Sequence, residues 1–79
     1  MKVNSRGLNL LYQVDTFAGD GTTVAFTLSQ IPYDTSDPMA FIDGLFQSPA
    51  NYSISGTTIT FASAPTASTD ILVRYLRKN

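Results

Sequence analysis

"FAGDGTTVAFTL", residues 17–28, places two glycines and an aspartate ahead of a stretch in which Val24, Phe26 and Leu28 alternate with Ala25 and Thr27. Apolar residues at every second position put one face of an extended strand toward a core. Gly19 and Gly21 accept the positive φ values that tight hairpins require, and Asp20 can bond backbone of its own turn. The stretch therefore predicts a tight turn followed by a half-buried strand over 23–29.

The same rhythm continues in both directions. "MAFIDGLFQ", 39–47, reads as two short strands around Asp43-Gly44, a two-residue hairpin signal. "YSISGTTITFA", 52–62, reads as a second hairpin. In it Tyr52 and Ile54 precede a turn at Ser55-Gly56, and Ile59 and Phe61 follow. In "ILVRYLR", 71–77, Ile71, Val73 and Tyr75 alternate with Leu72, Arg74 and Leu76. "LLYQVDTF", 10–17, is a further strand candidate with two competing faces, Tyr12 and Val14 against Leu11 and Phe17. Pro32 and Pro38 fence one loop, Pro49 breaks "SPANY", and Pro65 sits in the loop before the last strand. Turns thus recur about every 8–12 residues, the spacing of a sandwich or barrel. No segment holds a 3.6-residue apolar period long enough for a stable helix. The expected fold is all-β: a small antiparallel β-sandwich of six or seven short strands over residues 14–79, preceded by an extended N-terminal arm, 1–13.

Composition limits what such a chain can do. Its 79 residues make one small domain, which buries only about 60–65% of its unfolded surface. With no cysteine and no histidine, disulfides and thiolate metal sites are excluded, and the commonest metal ligand and general base are missing. Among the usual props of small domains, oligomerisation leads. Charged residues make up 14% of the chain, against about 25% in a typical domain. The six acids are all Asp, and ten Thr and eight Ser fill polar positions. Such a surface solvates itself poorly, which fits one partly covered by something else.

Catalytic and ligand-binding chemistry finds little support. A Ser-His-Asp triad cannot be built, and Lys2 and Lys78 lie in the termini. The aspartates fall in or beside turns, so carboxylates facing each other across a cleft are not expected. Asp15 with Asp20, and Asp34 with Asp37, do not match a calcium loop. "GDGTT" lacks the lysine and following helix of a phosphate-cradling loop. The expectation is a non-enzymatic domain without metal or cofactor. No apolar run approaches the roughly 20 residues of a membrane span. The first thirteen residues lack the continuous apolar segment of a signal peptide, so synthesis in the cytoplasm is expected.

Two features point to surfaces. Lys2 and Arg6 stand at the front and Arg74, Arg77 and Lys78 at the back, with only acids between. They are either solvated basic termini or one charged docking patch for an acidic neighbour. Five dispersed bases are too sparse for nucleic acid. Leu72 and Leu76 lie opposite the apolar phase of the last strand, so both of its faces are largely apolar. Either that strand is central in a two-sided core or its second face is buried by another chain. Phe46, beside the Asp43-Gly44 turn, raises the same question. Leu8, Leu10 and Leu11 are candidate anchors of the arm on a neighbour, with Lys2 and Arg6 as charge guides. Tyr52 and Tyr75 belong to the core phase; Tyr12 and Tyr33 stay open, for instance as sugar-stacking residues.

Taken together, "FAGDGTTVAFTLSQIP" and "AFIDGLFQSPANYSISGTTITFASAPTASTDILVRYL" resemble a β-rich module of structural proteins of tailed bacteriophages. The resemblance is carried by Phe17 with Gly19-Asp20-Gly21, Phe26-Thr27-Leu28, Asp43-Gly44 with Gln47, Tyr52 through Phe61, Ala64-Pro65, and Asp70-Ile71 through Tyr75. It spans roughly residues 14–76. What it implies is a virion component made in the host bacterial cytoplasm: a tail-fibre or tail-appendage part, or a small accessory protein decorating the head. It also implies a homo-oligomer, a trimer foremost, that docks on capsid or tail proteins without catalytic residues. Because the module fills nearly the whole chain, an accessory or decoration protein is expected over a long fibre. The rival expectation is an adhesion module for host-surface carbohydrate, on Tyr12, Tyr33 or Phe46.

Overall fold

The computed structural model describes residues 11–77. Seven strands follow one another: β1 (Leu11–Ala18), β2 (Ala25–Thr27), β3 (Met39–Ile42), β4 (Leu45–Phe46), β5 (Tyr52–Ser55), β6 (Thr58–Phe61) and β7 (Asp70–Arg77). A single 3₁₀ turn, Pro49–Asn51, sits before β5, with the Ser48 hydroxyl accepting the Ala50 amide. The strands form two antiparallel sheets, one of order β1-β7-β3-β4 and one of order β2-β6-β5. The expected all-β sandwich is the fold. β7 lies at the centre of its sheet, which answers half of the question its two apolar faces raised.

The period-two pattern places the core. Ile71, Val73 and Tyr75 from β7 and Ala40 from β3 are buried against Ile59 and Phe61 from β6 and Leu28. Phe17, Phe26, Ile42, Tyr52 and Ile54 close around them. Phe17 and Phe26 meet across the layers with centroids 5.1 Å apart, and Phe26 meets Phe61 edge-on at 6.0 Å within the three-stranded sheet. Offset and edge-on pairs like these add about 0.5–1.5 kcal/mol each beyond their buried area.

Turn chemistry fixes two registers. Asp43 and Gly44 both have positive φ (50° and 82°), the signature of a type I′ turn, and Ile42 pairs with Leu45 across it. The second hairpin turns one residue later than the sequence suggests. Ser55 pairs with Thr58, so Gly56 and Thr57 are the loop and Gly56 takes the positive φ of 59°. Both choices keep Tyr52, Ile54, Ile59 and Phe61 on one face, so apolar pattern alone does not separate them. Glycine at the first central position does.

The opening stretch departs further from its reading. β1 pairs with β7 and β2 with β6, so the turn at 19–22 joins two sheets and makes no hairpin. Gly21 has positive φ, but Gly19 is needed for another reason. Its amide donates to the Thr69 carbonyl at 2.9 Å and its carbonyl accepts the Ser68 amide at 3.0 Å. A Cβ there would collide with the Thr66 carbonyl oxygen and the Thr69 hydroxyl. Gly19→Ala is therefore expected to cost about 1–3 kcal/mol by overpacking. In thermal melts of a chain this size that is a fall of roughly 5–20 °C; an unchanged midpoint would show that the two loops part freely. Leu11, Tyr12 and Gln13, expected in the arm, lie in β1 instead, opposite Arg77, Leu76 and Tyr75; the rest of the expected arm, 1–10, lies outside the described residues.

Candidate docking face

Most of the aspartates accept hydrogen bonds within the fold, two of them in their own turns. The Thr23 hydroxyl and amide and the Thr22 amide all donate to Asp20, with the hydroxyl at 2.6 Å. These bonds, the Thr23 hydroxyl first, hold the Asp20 carboxyl well below the usual carboxylate range. The Ser36 amide and hydroxyl lower Asp34 in the same way. Asp37 accepts the Leu76 amide at 2.6 Å, and Asp43 accepts the Asp70 amide at 2.8 Å. Asp37 thus satisfies β7 beyond the end of β3. Among the described residues no group of three or more His, Cys, Asp or Glu is placed to hold a metal. Two hollows of about 200 and 250 Å³ flank the 3₁₀ turn, lined by Asn51, Phe61 and Ala62 and their neighbours. Both are smaller than the roughly 300–1,000 Å³ of ligand pockets.

The sheet surfaces are more informative. Partners across an antiparallel ladder share a face, so the registers assign every side chain. On the four-stranded sheet the face turned away from the core runs in three rows. Thr16, Leu72, Phe41 and Phe46 form the first, and Val14, Arg74 and Met39 the second. Tyr12 and Leu76 form the third, with Tyr33 at its edge, where its amide donates to the Leu76 carbonyl. Tyr12 is 66%, Phe46 55% and Val14 50% exposed. Eight of these ten positions are aliphatic or aromatic. The Phe41 and Phe46 rings meet edge-on at 5.7 Å. The lone charge, the Arg74 guanidinium, lies 4.6 Å over the Tyr12 ring, a cation–π contact.

The opposite surface of the sandwich has the contrary chemistry. On the three-stranded sheet the outward positions are Ala25 and Thr27, Thr58 and Thr60, and Ser53 and Ser55, paired across the ladder. Small hydroxyl residues meet water on one side of the molecule while aromatic and aliphatic residues meet it on the other. Isolated exposed apolar residues are ordinary; a contiguous sheet face of them marks an interaction surface.

Placement of the sequence candidates follows from these registers. Phe46, Leu72 and Leu76 come together on the outward face. Leu11 does not join them, because it pairs with Arg77 in the opposite phase. Arg74 and Arg77 stand on opposite faces of β7, and the Arg77 Nε is sealed from water, so these two cations do not share a patch. Leu8, Leu10, Lys2, Arg6 and Lys78 lie outside the described residues. Sequence reading missed Val14, Met39 and Phe41 as members of the face. Their alternation was visible, but their common side is set by pairing with β7, which is distant in the chain. No family model matches the chain, and comparison with curated proteins finds no significant relative.

Proposed function

We propose that this chain is a non-enzymatic structural component of a phage particle. In this reading it is an accessory or decoration protein of the head, or a tail-appendage part, that acts by associating with copies of itself and with other virion proteins. One observation supports it most: a sandwich with a Ser/Thr-covered sheet on one side carries an apolar sheet face on the other. The resemblance in residues 14–76 supplies the setting. A surface of this kind favours assembly over turnover, because it offers contact area and almost no hydrogen-bonding groups.

Particles assembled without the chain, mixed with the tagged protein and examined by electron microscopy, test this directly. Regular extra density at fixed sites on head or tail is the expected result. Full recovery of the protein in the unbound fraction, with bare particles, would sink the reading.

A carbohydrate-binding reading has one observation in its favour, the exposure of Tyr12, Tyr33 and Phe46. Against it, sugar sites need several polar groups beside their stacking rings, and this face offers only Arg74 and Thr16 along with the tyrosine hydroxyls. Retardation on a host polysaccharide column, lost in Tyr12→Ala, would move the balance toward it.

A further inference from the structure

Resting on that assembly reading, we infer that the outward face of the four-stranded sheet is covered by the same face of a second copy. The two chains pack sheet on sheet about a twofold axis.

Area is the first argument. The rows span four, three and two strands, and at about 4.8 Å between strands and about 6.7 Å between rows the flat face is on the order of 300 Å². The three exposed aromatics, at roughly 200 Å² per side chain, leave roughly 300 Å² of it open, already the size of the largest patch on many monomers. With the corrugation of the remaining side chains, the whole face approaches the roughly 800 Å² that one partner gives to a stable complex.

Charge is the second. The chain carries a formal charge of −1, so two copies repel each other little. The face holds one cation and no acid, and that cation is already stacked on Tyr12 toward β1. Leu72, Phe41, Phe46 and Met39 form an uncharged quarter on the β3–β4 side. An axis through this quarter buries apolar residues at the centre and leaves Arg74 with Tyr12 at the rim, where interfaces keep their charges.

Shape is the third. Sheets pack face to face about 10 Å apart with one layer of side chains from each. The inward face of this same sheet packs that way on its partner sheet. The outward face has the same strand number and twist, so it offers an equivalent surface to an identical one. A twofold contact of one patch with itself closes and does not propagate.

Light scattering behind gel filtration, with the full chain at about 5 and 200 µM, reads the pairing. The expected mass is twice 8.6 kDa at the higher concentration. Phe46→Lys and Leu72→Lys are expected to weaken the dimer at least tenfold, while Thr58→Lys on the Ser/Thr side leaves it intact. Because the chain has no cysteine, Met39→Cys supplies an independent readout that does not depend on a disruptive charge. Mild oxidation is expected to cross-link Met39→Cys into covalent dimers and to leave Thr58→Cys without a cross-link, as read on a denaturing gel. A wild-type monomer at 200 µM, or a trimer, overturns the twofold pairing, as does a dimer indifferent to Phe46→Lys and Leu72→Lys. A monomer that still binds particles sinks the pairing alone; a dimer without affinity for particles supports it and sinks the assembly reading instead.

Discussion

Asp15→Ala is expected to lower the unfolding free energy by about 2–4 kcal/mol, at the rate of charged hydrogen bonds lost and a buried hydroxyl left unpaired. Asp15 sits on β1, outside any turn, and ties the segment after β2 to the four-stranded sheet. It accepts the Tyr75 hydroxyl at 2.6 Å, the Ser29 amide at 2.8 Å and the Ser29 hydroxyl at 2.7 Å, with Gln13 Nε2 at 3.1 Å. Tyr75 is among the most deeply buried side chains, and its oxygen also accepts the Gln30 amide. The segment after β2 is thereby pinned to β1 and β7. Urea unfolding at neutral pH measures the loss. Tyr75→Phe is the milder companion, because it leaves Asp15 its Ser29 and Gln13 donors.

The same carboxylate sets an acid limit. Burial pushes the Asp15 pKa up, but the bonds from Tyr75, Ser29 and Gln13 together outweigh that and leave it below its ordinary value. A carboxyl with a depressed folded-state pKa adds stability that is complete above the unfolded value of about 3.9 and disappears as pH falls through the folded one. Asp20 and Asp34 are lowered as well, so stability is expected to fall with acid from about pH 5 downward. Asp15→Asn should flatten the Asp15 share of that slope while lowering stability at neutral pH. Equal slopes for wild type and variant between pH 5 and 2.5 would show that Asp15 is free in the folded state.

What the sequence discloses here is local. Asp43-Gly44 requires two positive φ values and fixes its hairpin, and the alternation in 52–61 and 71–77 fixes which side chains go in. Non-local pairing is not written in such patterns. Gly19-Asp20-Gly21 has hairpin chemistry, yet the strands on either side enter different sheets, because Gly19 is held by Thr69 and Ser68 fifty residues on. Asp15 reads from the sequence as an acid in or beside a turn, and only the pairing of β1 with β7 brings it to Tyr75. The outward apolar face is the plainest case. Leu72, Leu76 and Phe46 were suspect singly for being apolar in the wrong phase. Only the registers of β1 and β3 on β7 add Tyr12, Val14, Met39 and Phe41 to make one continuous surface.

Ile59→Ala is the second large effect, expected to cost about 3–4 kcal/mol as lost transfer energy plus the cavity left behind. Ile59 is fully buried at the centre of the three-stranded sheet, opposite Phe26 on one side and Ile54 on the other. A 79-residue domain has only about 4–12 kcal/mol in all, so the variant retains a small margin or none. Phe46→Ser, on the outward face, removes a larger side chain yet should change the stability of a dilute monomer by less than about 1 kcal/mol, the range of surface substitutions. The contrast sharpens with concentration. If copies associate through the outward face, association stabilises the folded state by mass action, and the melting temperature of Ile59→Ala rises between 5 and 200 µM. The double variant with Phe46→Lys loses that rise. Melting temperatures independent of concentration in both would mean that the thin core stands alone and the apolar face contributes nothing to holding the chain folded.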